Sequence, residues 1–250
     1  MIRLEKGEDG IYFLKMEDHA HKNALDNTIF LDQLSKITTE LKADLAAKVV
    51  ILTGLKDVFS SGGNIDFLEK QLAEHYENYI EHEYANKMKT LLNIPIPVIA
   101  AMEGSATGGG LTLAFYTDII IAAEESRYGF SFMNMGFTPG MGTTALAVEA
   151  FGYYTGFEMM ATGNYKKGRE LKGKCQFNYI LPKAEVLPKA IDIAQAIAEK
   201  PRTSLELLKK SSSIKRRQML EETSTIEAFM HKIAFSQPDI KNIIEDNYTG

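Results

Sequence analysis

Two short glycine-containing clusters are the residues of this chain best suited to chemistry. They read SSGG at residues 60–63 and GGG at residues 108–110, and each follows an apolar run and precedes a helical pattern. Glycine has no Cβ, so a ligand can come close to its backbone, and the first N–H groups of a helix have no partner within it. The pair of clusters predicts a site that stabilises a thioester carbonyl oxygen as it gains negative charge. Either cluster alone also fits an ordinary glycine turn.

The elements that position these clusters alternate between strand and helix. The predicted strands, marked by alternation or by a continuous apolar run, lie at residues 11–15, 49–53, 96–102 and 118–123. The predicted helices, marked by apolar side chains at helical spacing, lie at residues 29–43, 66–92 and 109–116. A recurring order of strand, loop and helix predicts an α/β fold.

The C-terminal part of the chain is predicted to be helical. One helix covers residues 186–200 and ends before Pro201, because proline cannot continue a helix. A second covers about residues 214–236 and places one stripe of side chains along its length: Met219, Thr223, Ile226, Met230 and Ile233. His231 lies roughly 120° from this stripe, beside Leu220 and Phe235. This helix therefore has two faces to bury.

Composition limits the classes of function. The chain has 250 residues, 45% hydrophobic and 24% charged, with a formal net charge of −5, which predicts one folded domain and no nucleic-acid partner. Neither a membrane span nor a signal peptide is predicted. Cys175 is the single cysteine, so no internal disulfide and a cytoplasmic location are expected. The five histidines lack a metal-binding spacing, so no metal site is expected.

Several motifs resemble the crotonase, or enoyl-CoA hydratase/isomerase, superfamily. In the family's order they read HKNAL at 21–25, FSSGGNID at 59–66, IPVIAAMEGSATGGG at 96–110 and MGFTPGMGTT at 135–144. The resemblance implies a ββα spiral over residues 1–185, a helical region over 186–250, and a homotrimer or dimer of trimers. It also implies that the N–H groups of Gly63 and Gly109 form an oxyanion hole for an acyl thioester.

The two carboxylates with which hydratases of this family activate water are missing. The matching positions carry Thr112 and Phe132, neither of which can act as a general base. Water addition is therefore not expected. An oxyanion hole beside a pocket lined by Phe132, Met133 and Met135 suits decarboxylation, because the loss of CO2 needs no base and gives a dienolate whose oxygen the hole stabilises. Thr112, Phe132 and Met133 are expected to contact the substrate.

Further motifs resemble one subfamily, the decarboxylases of polyketide β-branching, which act on a glutaconyl unit held by an acyl carrier protein. These motifs are LPKAEVL at 181–187, EKPRTSLELLK at 199–209 and a histidine in the last helix. The resemblance implies that this histidine, His231, is the acid that reprotonates carbon; the alternative is a half-exposed helix histidine. The subfamily's lysine has no secure match, and Tyr76, Tyr79, Tyr84 or His75 could replace it.

The implied substrate is a small acyl thioester on a phosphopantetheine arm, with no other cofactor. The resemblance assigns Lys22, Ala24 and Ser61 to substrate binding. The run YKKGRELKGK at 165–174 is rich in lysine and arginine. It is either a solvated loop or a surface that steers an acidic carrier protein.

The expected function is thus the decarboxylation of a 3-methylglutaconyl-type thioester to a 3-methylcrotonyl-type thioester. Two alternatives stay open. One is an isomerase or dehydratase of the same substrate class, which would use His231 or a tyrosine for proton transfer. The other is a catalytically silent homologue that only binds the carrier. Release of CO2 from a carrier-bound glutaconyl thioester separates the first function from both alternatives.

Overall fold

The structure is a computed structural model that describes residues 2–25, 29–64 and 89–248. Its strands are β1 (Ile2–Lys6), β2 (Ile11–Met16), β3 (Val49–Thr53), β4 (Val58–Ser60), β5 (Val98–Met102), β6 (Ser105–Thr107), β7 (Ile119–Ala123), β8 (Arg127–Gly129), β9 (Lys166–Lys167) and β10 (Tyr179–Leu181). Its α-helices are α1 (Ile29–Ala43), α2 (Gly109–Phe115), α3 (Thr143–Phe151), α4 (Tyr153–Thr162), α5 (Gly168–Leu171), α6 (Lys183–Ala198), α7 (Arg202–Ser212), α8 (Ile214–Phe235) and α9 (Ile240–Tyr248).

Short 3-10 helices cover Lys89–Asn93 and Met133–Met135. The helix predicted over residues 66–92 falls outside the described residues, apart from its last four. Those four belong to the first 3-10 helix.

A six-stranded sheet in the order β1-β2-β3-β5-β7-β10 forms the centre of the fold. β1 runs antiparallel to β2, and every other neighbouring pair is parallel. Every residue of β3 and β5 is buried, as a continuous apolar run predicts for strands covered on both faces. The predicted α/β class is confirmed by this sheet and the helices on its two faces.

A smaller sheet in the order β4-β6-β8-β9 lies beside the first. β4, β6 and β8 are parallel to one another, and each follows a strand of the large sheet along the chain: β3, β5 or β7. These repeated steps from one sheet to the other form the predicted spiral. The strands β4 and β6 were not predicted, because three-residue strands are too short to show a period.

Helices α1 and α6 cover the two faces of the large sheet. The predicted stripe of α1, including Leu34 and Leu41, is fully buried against the main core. α6 packs small side chains, Ala190 and Ala194, against Ile51 and its neighbours in β3, β5 and β7. Small residues allow this close approach of helix and sheet.

Helix α7 is joined to the large sheet by a buried lysine. Lys209 donates from Nζ to the Ile96 carbonyl at 2.9 Å and pairs with Asp118 at 2.8 Å. Burial lowers the pKa of Lys209 against the opposing effect of the Asp118 carboxylate. The pair fixes the position of the C-terminal helices that follow.

Helix α8 confirms the predicted last long helix and has one covered face. Leu220, His231 and Phe235 are buried within the chain. Of the predicted stripe, Met219 packs against the main core, while Ile226 is 60% and Ile233 is 66% exposed. The alternative prediction, that His231 is a half-exposed helix residue, is wrong, because His231 is only 5% exposed.

Candidate active site

The fold brings the two glycine clusters to one edge of the small sheet. β4 ends at Ser60 and its parallel neighbour β6 ends at Thr107, so both clusters leave the sheet on the same side. Gly62 has a φ of +93°, and a Cβ there would lie 2.7 Å from the Thr107 carbonyl oxygen and 3.5 Å from Gly109 N. Only glycine fits this close approach. The clusters therefore directly follow short strands of the second sheet, rather than the long apolar strands β3 and β5.

The two N–H groups expected to form the oxyanion hole have no acceptor within the described ranges. Neither Gly63 N nor Gly109 N donates a hydrogen bond to any residue there. Gly63 is exposed, and none of the residues that the structure describes has an atom within 4 Å of the point where its Cβ would stand. Gly109 is the first residue of α2, so its N–H lies at the positive end of the helix dipole. This arrangement can bind an anionic oxygen.

The predicted substrate-binding residues of the HKNAL segment lie against the first cluster. Ser61 N donates to the Lys22 carbonyl at 3.0 Å, and Leu25 N donates to the Gly62 carbonyl at 2.7 Å. Lys22 is exposed, while Ala24 and Ser61 are half-buried. These residues therefore form the solvent-facing rim beside Gly63.

Asn23 holds this rim in place and is a residue that the sequence analysis missed. Its amide Nδ2 donates to the carbonyls of Met16 and Phe59, both at 3.0 Å, and its Oδ1 accepts from Asp18 N at 2.7 Å. Asn23 adopts a φ of +53°, a region that asparagine enters more readily than most residues. The sequence alone carried no clear signal for this role, because the burial of Asn23 and its hydrogen bonds are tertiary features.

Thr112, Phe132 and Met133 surround the second cluster in different ways. Thr112 is fully buried, and its hydroxyl donates to the Gly108 carbonyl at 3.1 Å. It therefore stabilises the backbone of the second glycine cluster from the protein interior. Phe132 is half-buried, and its Cζ would lie 3.6 Å from a Cβ on Gly108. Met133 is 44% exposed. The family resemblance implies that a hydratase would carry a carboxylate at the position of Phe132. This chain has an aromatic ring there, beside the second glycine cluster.

His231 projects from α8 toward the loop that follows Phe137. Its Nε2 lies 2.5 Å from the Thr138 carbonyl oxygen, so this nitrogen carries the hydrogen and donates it. The imidazole meets the rings of Phe137 and Phe235 edge-on, with centroids 5.9 and 5.4 Å away. These contacts fix the orientation of the ring.

Glu227 lies one turn before His231 and was also missed. It is fully buried, and its carboxylate accepts from Gly142 N, Thr144 N and the Thr144 hydroxyl. The spacing of four residues from His231, on the face that also carries Leu220 and Phe235, was a signal in the sequence.

Other predicted features lie elsewhere. Tyr76, Tyr79, Tyr84 and His75 fall outside the described residues. Within the basic run, Lys166 pairs with Glu158 at 2.8 Å and Lys172 with Glu124 at 2.6 Å, which lowers the net charge of that surface. Across the described ranges, we find no group of three or more His, Cys, Asp or Glu side chains that could hold a metal ion. No helix in those ranges is long and apolar enough to cross a membrane.

Comparison with known proteins identifies the family. The family model for enoyl-CoA hydratase/isomerase matches residues 6–247. The bacillaene synthase decarboxylase PksI of Bacillus subtilis is 34% identical, over 99% of this chain and 98% of its own length. The chain belongs to the enoyl-CoA hydratase/isomerase family.

Solved structures agree with this assignment. The decarboxylase domain of CurF from Lyngbya majuscula superposes with a TM-score of 0.89 at 30% identity, covering 99% of both chains. A structure from a dehydratase/decarboxylase enzyme couple involved in polyketide beta-branching gives a TM-score of 0.91 at 34% identity, covering 100% of this chain and 99% of the other. The predicted crotonase-like spiral and the resemblance to the decarboxylases of polyketide β-branching are confirmed.

Proposed function

We propose that the protein decarboxylates a 3-methylglutaconyl-type thioester on an acyl carrier protein to a 3-methylcrotonyl-type thioester. One observation carries the proposal. The N–H groups of Gly63 and Gly109 lie at one sheet edge, while Phe132 occupies a position at which the family's hydratases have a carboxylate. The similarity of this chain to the decarboxylase PksI and to the decarboxylase domain of CurF supports the same reaction.

The reaction begins with the breaking of the bond between the terminal carboxylate carbon and its neighbouring carbon. The electron pair of that bond enters the conjugated system, CO2 leaves, and the thioester oxygen of the resulting dienolate carries the charge. Hydrogen bonds from Gly63 N and Gly109 N stabilise this oxygen, and each such donor is typically worth about 3 kcal/mol. No base is needed for this step.

A proton must then be delivered to carbon to give the neutral product. We propose His231 as its donor. Nε2–H is held by the Thr138 carbonyl, so the transferred proton is the one on Nδ1 of the imidazolium. The negative substrate favours the imidazolium form until CO2 has left. Tyr79 and Tyr84 are the alternative donors.

The carrier's phosphopantetheine arm is proposed to pass the rim formed by Lys22, Ala24 and Ser61. This rim is joined by backbone hydrogen bonds to the first glycine cluster and is open to solvent. No further cofactor is proposed, since neither CO2 loss nor reprotonation requires one. The carrier itself would contact the basic run at residues 165–174, in which Arg169 and Lys174 are exposed.

Assembly as a homotrimer or a dimer of trimers, in the cytoplasm, is part of the proposal. The exposed stripe of α8 supports assembly, because Ile226, Phe229 and Ile233 are each at least 60% exposed in the single chain. Contiguous apolar surface of this kind marks an interaction site.

The function is tested by mass spectrometry with a panel of carrier-bound acyl groups. We expect the 3-methylglutaconyl carrier to lose one CO2 and the 3-methyl-3-hydroxyglutaryl and crotonyl carriers to stay unchanged. Loss of water would favour the dehydratase, and a shift of the double bond without CO2 release, which leaves the mass unchanged and is detected by NMR of the acyl group, would favour the isomerase. Carrier binding without any turnover would favour the silent homologue.

A further inference from the structure

Glu227 binds the start of helix α3 through three donors. Its Oε2 accepts from Gly142 N at 2.5 Å, and its Oε1 accepts from Thr144 N at 2.8 Å and from Thr144 Oγ1 at 2.7 Å. All three groups donate, which fits an ionised carboxylate. The first N–H groups of a helix lack helical partners and favour negative charge. A fully buried carboxylate is thus satisfied by this loop.

The loop held by Glu227 has an unusual backbone. Met141 and Gly142 have φ values of +61° and +76°, and a methionine rarely adopts the left-handed region. The Tyr116 hydroxyl donates to the Met141 carbonyl at 2.6 Å, next to the peptide N–H that Glu227 accepts. Such a conformation persists only where surrounding contacts impose it.

This loop contacts the second glycine cluster in two places. A Cβ on Gly109 would lie 2.9 Å from Met141 Sδ, so the methionine side chain lies directly against the Gly109 backbone. The hydroxyl oxygens of Thr143 and Thr112 are hydrogen-bonded at 2.7 Å, with Thr143 as the donor when Thr112 donates to the Gly108 carbonyl. A movement of the loop would therefore reach both Gly108 and Gly109.

We infer that Glu227 is a positioning residue for the Gly109 N–H. It acts through the loop at residues 141–144 and does not touch the substrate. The inference rests on the proposed function, in which this N–H stabilises the dienolate oxygen. Loss of the Glu227 carboxylate should slow the chemical step more than it weakens substrate binding.

The test compares Glu227→Gln with Glu222→Gln, the same change at an exposed position of α8. In Glu227→Gln the side-chain NH2 group replaces one carboxylate oxygen and faces at least one N–H or O–H donor. Because NH2 cannot accept a hydrogen bond there, that bond is lost. We expect kcat for CO2 release to fall about 10-fold to 100-fold with KM within about threefold of wild type. Glu222→Gln should keep wild-type kcat and KM. Thr144→Val, which removes one donor of three, should give a smaller fall and decides the question if Glu227→Gln does not fold.

A spectroscopic measurement separates positioning from a purely structural role. The infrared stretch of a 13C-labelled carbonyl in a bound crotonyl thioester should shift to lower frequency in wild type, and less so in Glu227→Gln and Thr144→Val. Unchanged kcat and carbonyl frequency in a folded variant, even with a lower Tm, would overturn the inference. If wild type releases no CO2, the proposed function fails, while the carbonyl shift still tests Glu227.

Discussion

The backbone of Gly62 lies against the backbone of Gly109, with 3.5 Å between Gly109 N and the point where a Cβ of Gly62 would stand. This contact joins two glycine clusters that are separated by more than forty residues in sequence. Because β4 and β6 are parallel neighbours, the contact places the Gly63 and Gly109 N–H groups on one edge. The proposed chemistry depends on this arrangement.

The first prediction concerns Gly62→Ala. The new Cβ would lie 2.7 Å from the Thr107 carbonyl oxygen at a φ of +93°, so we expect unfolding free energy to fall by about 2–4 kcal/mol and CO2 release to be lost. Gly173→Ala is the matched control, because its φ is +75° but no atom of the described part of the chain lies within 4 Å of its Cβ position. The control should lose only about 1–2 kcal/mol in urea unfolding and keep full activity. Equal effects of the two changes would contradict the close contact.

The second prediction concerns the missing carboxylates. Wild type should not hydrate a crotonyl thioester, and Phe132→Glu alone should not create a hydratase, because Thr112 still lacks its carboxylate. Thr112→Glu with Phe132→Glu should lower the unfolding free energy by on the order of 3 kcal/mol, since Thr112 is fully buried.

Burial raises the pKa of a carboxyl introduced at Thr112 above its value in the unfolded chain. The unfolded state then loses its proton more easily, so the double variant should gain stability as the pH falls. Urea unfolding between neutral and acidic pH measures this trend. Hydration of crotonyl thioester by wild type, seen as added water in the mass spectrum, would refute the reading of these two positions.

The third prediction concerns His231→Gln. Glutamine can still donate to the Thr138 carbonyl but cannot act as an acid, so kcat should fall about 100-fold with carrier binding and stability little changed. In wild type, kcat should decline as rising pH removes the imidazolium proton, and the variant should lack this decline. A variant with the wild-type rate and pH profile would transfer the acid's role to Tyr79 or Tyr84.

Long periodic elements were predictable from the sequence, and short or tertiary features were not. Helix α1 and strand β3 were predicted with the observed bounds because each carries an uninterrupted apolar pattern. The strands β4 and β6 were missed because three residues carry no period. The expected oxyanion residues lie at one sheet edge because each glycine cluster follows the end of a strand. This holds although the strands are the short β4 and β6 and not the longer strands that were predicted.

The features of α8 show where sequence patterns reach their limit. Its apolar stripe predicted a buried face, yet Ile226 and Ile233 are exposed in the single chain and the face with His231 is buried. The buried face of α8 is the one that packs against the loop after Phe137. The hydrophobicity of the helix residues alone does not show which face that is. Glu227 shares this face with His231 in the sequence, but its three donors lie at the start of α3 and are known only from the structure.

The central claim is that the Gly109 N–H stabilises the charge formed when CO2 leaves, and one pair of variants tests it most directly. Gly109→Pro removes this N–H at the first position of α2, where a helix tolerates proline. Gly109→Ala crowds the same Met141 side chain but keeps the N–H. Both must first show the circular dichroism spectrum of wild type.

The measurement is single-turnover release of 13CO2 from a 3-methylglutaconyl carrier labelled in its terminal carboxylate. We expect Gly109→Pro to be slower than Gly109→Ala by about 100-fold to 1,000-fold, the usual effect of losing one oxyanion donor. Equal rates in the two folded variants, or wild-type speed in Gly109→Pro, would contradict the account.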